Sequence, residues 1–303
     1  RPLEACPGTV IGVDIGTTAV AAIKAVDGRV VGRAGCYNRQ SRFGDNVITR
    51  INYAATHLRE LQQDALDSIG ELLAALGTDG VERIALAGNT VLCCLAHGID
   101  PASIGVIPFT PPVRNFPVRH DLFGAIPVLT VPAISGYVGG DLTAGLGETA
   151  LAVGEMLVDI GTNCEIIYHA PGGLVCAAAA AGPAFEGAGI GCGCRAVPGA
   201  IDHYYGPGDY SVLDGGAARG LCGSAMIDFL AVEHRAGRLN EFGRIIPKAE
   251  SCPVAPEVTI YECDIEQLLK AKAAVWAGIK TLEDHTGVPA SRIYLAGGFA
   301  QYL

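Results

Sequence analysis

The sequence predicts a duplicated α/β protein built from two related halves. The motif Asp14-Ile15-Gly16-Thr17-Thr18 returns as Asp159-Ile160-Gly161-Thr162-Asn163, 145 residues further along the chain. Each copy follows an apolar run and precedes a second β-prone run, a pattern typical of strand, tight turn and strand. We therefore expect one half over residues 1–150 and the other over residues 151–303.

Each of the two turns has residue types that suit the phosphates of a nucleotide. An Asp that closes a buried strand can hold a hydrated Mg²⁺. Gly lets backbone N–H groups approach an anion, and Thr or Asn adds short donors for phosphate oxygens. A single copy would equally suit an ordinary hairpin turn, but two copies half a chain apart favour a binding site. The candidates are Asp14 and Asp159 for metal binding and catalysis, and Gly16, Thr17, Thr18, Gly161, Thr162 and Asn163 for the nucleotide.

The start of the first half shows clear strand and helix signals. Residues 9–35 predict three antiparallel strands, and Asp27-Gly28 between apolar runs favours a type I′ turn. An amphipathic helix follows, which either Asp45 or Asn46 caps and which Gly77 ends.

The rest of the first half is less regular. Residues 81–87 predict a strand, and Asn89 beyond it either caps a helix or presents a polar group to the ligand. Residues 101–132 are rich in proline and predict a loop with short strands. The small residues from Gly136 onward open a further helix.

The second half contains one acid in an otherwise small and apolar stretch. Ala177 to Ala181 is a small-residue segment that leads to Glu186. This carboxylate either orients an attacking water or a metal-bound water, or serves as a structural cap or loop bridge. We include Glu186 among the candidate catalytic residues.

Three further segments complete the second half. The Gly-rich stretch before Ser224 predicts a turn entering a helix whose free N–H groups face the nucleotide, so Gly223 and Ser224 are candidate ligands. Residues 264–282 predict a helix with a slim middle and an apolar stripe. Residues 293–296 predict a strand that runs into Gly297 and Gly298, where missing side chains allow a flat ring to lie on the backbone.

The two Asp turns and the strand that runs into Gly297 have the sequences DIGTT, DIGTN and AGGF. In this order they resemble the motifs of the acetate kinase, sugar kinase, Hsp70 and actin superfamily. The resemblance implies the ASKHA fold, which is actin-like and ribonuclease H-like, with two half-domains around a nucleotide cleft. It also implies that the elements are the phosphate 1, phosphate 2 and adenosine motifs, with ATP and Mg²⁺ as ligands.

Within that superfamily the chain resembles the ATP-dependent reductive activators of corrinoid proteins. The polar segment Asn38–Tyr53 is similar to theirs. Seven further blocks follow in the same order: Ala87–Thr90, Ile107–Phe109, Gly136–Ala144, Ala179–Gly187, Cys194–Ala196, Pro198–Ile201 and Gly220–Ser224. Since Asn38–Tyr53 and Pro108-Phe109 lie outside the phosphate turns, we expect them to shape a face for the partner. Ala225 is a mild departure, because these relatives often have Gly there.

Composition excludes several other classes of protein. The net charge of −10 without a basic cluster disfavours nucleic acid, and no apolar run reaches the roughly 18 residues of a membrane span. We expect a cytoplasmic protein.

The chain begins without Met and ends three residues after Ala300. We therefore expect it to be part of a longer protein and, as an ATPase, to be incomplete at its C-terminus.

The 11 cysteines do not have the spacing of a ferredoxin cluster. We expect mostly reduced core thiols and no iron–sulfur cluster in this chain. Cys192 and Cys194 are the pair that could contradict this.

The resemblance implies a corrinoid protein as partner and a ferredoxin-like donor domain or protein as the source of electrons; a homodimer is left open. Two alternatives stay open: a small-molecule kinase of the same superfamily, and a module that binds nucleotide without hydrolysing it.

Overall fold

The computed structural model describes residues 7–44 and 46–297. The chain divides into two compact units, Arg1–Ala152 and Val153–Leu303. Each unit has its own hydrophobic core.

The first unit is a five-stranded sheet with helices. Its elements are β1 Thr9–Ile15, β2 Ala19–Val26, β3 Arg29–Tyr37, α1 Val47–Leu76, β4 Val81–Gly88, α2 Thr90–Ala96, β5 Val128–Thr130 and α3 Gly140–Thr149, with 3-10 helices at Arg39–Phe43 and Ala102–Ile104. The strand order is β3-β2-β1-β4-β5. The first three strands form an antiparallel meander, and β4 and β5 are parallel additions.

The local signals of this unit are confirmed. Asp27 and Gly28 both have positive φ, at 49° and 76°, as a type I′ turn requires. Asn46 is the cap of α1, since its side chain accepts a hydrogen bond from the Thr49 N–H at 2.9 Å. Gly77, at a φ of 68°, ends that helix. Asn89 caps α2 by accepting from the Val91 N–H at 2.9 Å.

The core of this unit lies between the sheet and α1 and α2. The buried face of α1 contributes side chains such as Leu61, Ile69 and Leu72, which join Ile84 and Leu86 of β4 in one cluster. This packing fixes the ends of β1 and β4 relative to the helices.

The second unit repeats this plan and adds two small sheets. Its elements are β6 Glu155–Ile160, β7 Cys164–Ala170, β8 Gly173–Ala179, β9 Ala200–Gly206, β10 Asp209–Val212, β11 Gly220–Leu221, α4 Gly223–Arg235, β12 Ser251–Ala255, β13 Val258–Tyr261, α5 Glu262–Thr286 and β14 Arg292–Ala296, with a 3-10 helix at Pro183–Glu186. The main sheet has the order β14-β6-β7-β8, and the small sheets are β10-β9-β11 and β12-β13.

The register of the two main sheets confirms the duplication. β6, β7 and β8 form an antiparallel meander, and β14 returns parallel to β6 after helix α5, just as β4 returns parallel to β1 after α1. Asp14 pairs with Ala87 of β4, and Asp159 pairs with Ala296 of β14. The two Asp residues therefore occupy equivalent positions in their sheets.

Strand β8 is a difference from the sequence prediction. The segment from Ala177 was expected only to lead into the next turn, because Ala is depleted in strands. The structure uses its small side chains for close packing instead. A Cβ added to Gly278 of α5 would lie 2.7 Å from Cδ1 of Ile166 and 3.3 Å from Cβ of Ala179. Helix α5 therefore rests directly on β7 and β8.

Helix α5 otherwise follows its predicted apolar stripe. Ile265, Leu268, Ile279 and Leu282 are buried, and the exposed Lys270 pairs with Glu266 at 2.9 Å. Among the helices in the described ranges, none combines the length and the apolar character needed to cross a membrane.

The cysteines are more varied than expected. Ten fall in the described residues and all ten are free thiols: Cys93, Cys94, Cys164 and Cys222 are buried, Cys36, Cys192, Cys194 and Cys252 are partly buried, and Cys176 and Cys263 are exposed. Core placement is therefore wrong for the two exposed thiols. Cys176 lies on β8 and Cys263 in the first turn of α5.

Candidate functional site

The first Asp turn, residues 16–18, joins β1 to β2. The Gly16 N–H donates to the Ala19 carbonyl at 2.9 Å and closes the turn. A Cβ on Gly16 would lie only 2.7 Å from that oxygen. Glycine is therefore required here by close approach of the backbone.

Asp14, at the end of β1, has a carboxyl group with a raised pKa. Protein atoms crowd this group although the residue keeps an exposed surface. The pKa of Asp14 is raised to about 6. The main cause is the loss of water around the carboxyl group, and the second cause is the negative charge of Asp141. Burial likewise raises the pKa of Asp141, against hydrogen bonds from backbone N–H groups at the start of α3. The first unit thus holds two interacting carboxyl groups.

Asp141 was not predicted as a site residue. Two glycines before it allow the approach: a Cβ on Gly139 would lie 2.5 Å from the Gly88 carbonyl oxygen, and one on Gly140 would lie 2.5 Å from that of Val131. The start of α3 therefore abuts the end of β4, the strand beside Asp14. The Gly-Gly-Asp sequence at a helix start was the available signal, but only the fold brings it to Asp14.

The second Asp turn, residues 161–163, joins β6 to β7. The Gly161 N–H donates to the Asn163 carbonyl at 3.0 Å. The Thr162 hydroxyl donates to Oε1 of Glu186 at 3.0 Å. The structure thus brings four predicted residues of the second unit together, and Glu186 acts at least as a bridge between its 3-10 helix and this turn.

Glu186 has a second oxygen that remains available. Its Oε2 atom is buried and has no hydrogen-bond partner in the described part of the chain. Burial raises the pKa of Glu186, while the Thr162 hydrogen bond, a backbone N–H and the charge of Arg195 lower it. A buried carboxylate oxygen without a partner is costly, and such groups are common where a ligand or water completes the site.

Gly297 places the end of β14 against the second Asp. Its φ is 93°, and a Cβ there would lie 2.7 Å from Oδ1 of Asp159 and 2.6 Å from the Ile160 carbonyl oxygen. The predicted adenosine element therefore begins at the phosphate turn of its own unit. Gly298, the other predicted glycine, lies outside the described residues.

Gly223 and Ser224 begin helix α4, as predicted. Cys222 precedes them without a side-chain cap. The Ser224 hydroxyl, however, donates to the Asp202 carbonyl at 2.6 Å and so ties α4 to β9. That hydroxyl has a structural partner, which leaves the backbone N–H groups of this helix start as the candidate donors.

The fit of Mg²⁺ to these residues can be judged from their chemistry. Mg²⁺ binds oxygen ligands, keeps several of its waters, and is commonly held by one or two carboxylates together with substrate phosphates. The Asp14 and Asp141 pair meets this requirement. Groups of three or more His, Cys, Asp or Glu residues that could hold a metal are absent from the described residues. The absence of an iron–sulfur cluster stays a prediction.

Comparison with known proteins agrees with this architecture. Residues 154–303 match the C-terminal domain of RACo, the ASKHA domain, and residues 9–153 match the RACo middle region. The solved structure of a reductive activator for corrinoid, iron-sulfur protein superposes with a TM-score of 0.83 at 32% identity, over 99% of this chain and 55% of that one.

Two curated relatives are similar over most of the chain. The corrinoid activation enzyme RamQ of Eubacterium limosum is 27% identical, over 97% of this chain and 58% of its own length. The [Co(II) methylated amine-specific corrinoid protein] reductase of Methanosarcina barkeri is 26% identical, over 86% and 57%. This chain spans a little more than half the length of these relatives.

The duplicated sheets with an Asp turn in each define an ASKHA protein, as the sequence predicted. Within that class, the two matched regions run consecutively from residue 9 to residue 303. The chain belongs to the RACo family.

Proposed function

We propose that this chain binds and hydrolyses Mg-ATP and that this turnover is coupled to the return of a Co(II) corrinoid protein to Co(I). The observation that supports it most directly is the duplicated Asp turn, found at equivalent sheet positions in an ASKHA protein of the RACo family. In this proposal Asp14 and Asp159 act on the metal and its waters.

The turn residues would hold the phosphates. Gly16 and Gly161 close the turns with their own N–H groups. The candidate donors are the backbone N–H groups of Thr17, Thr18, Thr162 and Asn163, the hydroxyls of Thr17 and Thr18, and the Asn163 side-chain amide. Asp14 has a pKa of about 6 and is mostly ionised at neutral pH, as a magnesium ligand must be. Bound Mg²⁺ would neutralise the charge that develops on the transferred phosphoryl group.

Glu186 is our candidate for orienting the attacking water. Its Oε1 is fixed by the Thr162 hydroxyl, while its buried Oε2 is free of protein partners in the described residues. A raised pKa makes its carboxylate a better proton acceptor than an exposed Glu. Asp141, beside Asp14, is a second acid that could hold a metal-bound water.

The coupling to cobalt chemistry rests on the relatives. Two are named for corrinoid activation or reduction, and a third is a reductive activator. Reduction of Co(II) to Co(I) needs one electron, which we assign to a ferredoxin-like iron–sulfur donor. ATP turnover would supply a conformational change that makes this transfer favourable. If Asn38–Tyr53 and Pro108-Phe109 shape the docking face, the corrinoid partner binds one nucleotide state more tightly than the others.

A phosphate-release assay tests the hydrolysis. Wild-type protein is compared with Asp14→Asn and Asp159→Asn, with and without Mg²⁺ and a Co(II) corrinoid protein. We expect Mg²⁺-dependent release by the wild type only. Unchanged release in both variants would remove the assignment of the Asp turns, and release that depends on an added sugar or small acid would favour a kinase. Nucleotide binding without release would favour an interaction module.

The partner is tested by calorimetry between this chain and Co(II) corrinoid proteins, with and without a non-hydrolysable ATP analogue. We expect the analogue to change the affinity. Absence of binding in every nucleotide state would exclude the corrinoid assignment while leaving the hydrolysis assay unaffected.

A further inference from the structure

The segment that follows β3 is hydrogen-bonded to the carbonyl groups of the first Asp turn. The Asn38 side-chain amide donates to the Gly16 carbonyl at 2.8 Å, and the Asn38 N–H donates to the Thr18 carbonyl at 3.0 Å. The guanidinium of Arg50, from the first turn of α1, donates to the Thr17 carbonyl. All three carbonyl oxygens of the turn therefore accept a hydrogen bond from this segment.

The residues that make these bonds are themselves fixed. Asn38 and Arg50 are 1% and 0% exposed. Gln40 lies between them: its N–H donates to Oδ1 of Asn38 at 3.0 Å, and its Oε1 accepts from Arg50 at 3.3 Å. The Gln40 amide also donates to the Leu61 carbonyl at 2.7 Å. Burying so many polar groups is favourable only when they are bonded to one another, so the network has a single arrangement.

This arrangement fixes the direction of the N–H groups of the turn. In a planar trans peptide the carbonyl oxygen and the next N–H point in opposite directions. With the carbonyls of Gly16 and Thr17 held toward Asn38 and Arg50, the N–H groups of Thr17 and Thr18 point away from them. Among the described residues neither N–H has a hydrogen-bond partner. The turn thus presents two free donors on the side away from the network.

We propose that Arg50 and Asn38 are positioning residues that hold these two N–H donors ready for an anionic phosphate oxygen. The proposal rests on the proposed nucleotide function for the identity of the anion. It accounts for the buried residues of the Asn38–Tyr53 segment, namely Asn38, Gln40 and Arg50, without a partner protein. A docking face on the exposed residues of that segment stays a prediction.

The test compares Arg50→Lys with Arg42→Lys. Lys keeps the charge but cannot reproduce the planar fork that reaches Gly44, Gln40 and Thr17 at once. Arg42 is the matched control, because it lies in the same segment and binds Asp64 through two 2.8 Å contacts without reaching the turn. Asn38→Ser, which removes the donor to Gly16, is a second test variant. Circular dichroism selects the variants that remain folded.

The first measurement needs no nucleotide. Backbone ¹⁵N relaxation in the free protein should show lower order parameters at Thr17 and Thr18 in Arg50→Lys or Asn38→Ser, with Thr162 of the other turn unchanged. Arg42→Lys should match the wild type. Order parameters at Thr17 and Thr18 that match the wild type in both folded test variants would overturn the proposal.

The second measurement separates positioning from general damage. We expect about tenfold weaker ADP binding in Arg50→Lys by calorimetry, the size of effect that one hydrogen bond to a charged group produces, with adenosine binding unchanged. An equal loss for ADP and adenosine would contradict a role in phosphate positioning. If the wild type binds no ADP, the proposed function fails, and the relaxation data still decide whether the network holds the turn.

Discussion

Replacing Asp14 with Asn should stabilise the protein while it removes hydrolysis. The folded-state pKa of Asp14, about 6, lies above its ordinary value of 3.8, so the folded protein binds this proton more tightly than the unfolded chain. Ionisation of Asp14 therefore lowers stability as the pH rises from about 4 to above 6. The full shift corresponds to roughly 3 kcal/mol, and because the residue is exposed to solvent we expect screening to leave about 1 kcal/mol.

Urea unfolding at two pH values measures this effect. We expect Asp14→Asn to be about 1 kcal/mol more stable than wild type at pH 8, and about a third of that gain to remain at pH 4.5. Asp79→Asn, an exposed change in the turn between α1 and β4, is the control and should show no gain at either pH. A variant that is less stable than wild type at pH 8, or a gain of equal size at both pH values, would refute the reasoning.

Three further predictions follow from single contacts. Glu186→Gln keeps the acceptor for Thr162 and should retain ADP binding while phosphate release falls at least about a hundredfold; wild-type release would exclude Glu186 from the chemistry. Gly278→Leu should lower the unfolding free energy by about 2 kcal/mol in urea, because Ile166 and Ala179 leave no room, whereas Ala277→Leu on the exposed face should not. Burial lowers the pKa of His97 from 6.5 to about 4, so the unfolding free energy should fall as the pH drops from 6.5 to 4, by about 2 kcal/mol at pH 5. His97→Gln should remove that loss, and a variant with the same pH dependence of unfolding as the wild type would contradict the prediction.

The parts of the fold that local patterns encode were predictable. The first meander, the β6–β7 pair, α1 and α5 follow from apolar periodicity, and the equivalent placement of Asp14 and Asp159 follows from the repeated motif. Strand β8 was not predictable, because Ala has a weak strand preference. Its small side chains serve the packing against Gly278 of α5, about 100 residues further along the chain.

The candidate site was predictable only at its turns. Asp141 reaches Asp14 through the packing of α3 on β4, and Glu186 reaches Thr162 through the placement of a short 3-10 helix, neither of which has a sequence period. The Ser224 hydroxyl looked available in the sequence, but it is bonded to β9 in the fold. Asn38 and Arg50 resembled surface polar residues because their partners are backbone carbonyls, which no side-chain pattern reveals.

Helix α1 is not continuous, and the network behind the first Asp turn crosses the place where it breaks. His57, at φ −131° and ψ 32°, interrupts the helical backbone between Arg50 and Leu61. Arg50 lies before the break and Leu61 after it, and Gln40 is bonded to both. The network therefore joins the turn to both segments of the helix, so that a movement of Thr17 would strain hydrogen bonds on both sides of the break.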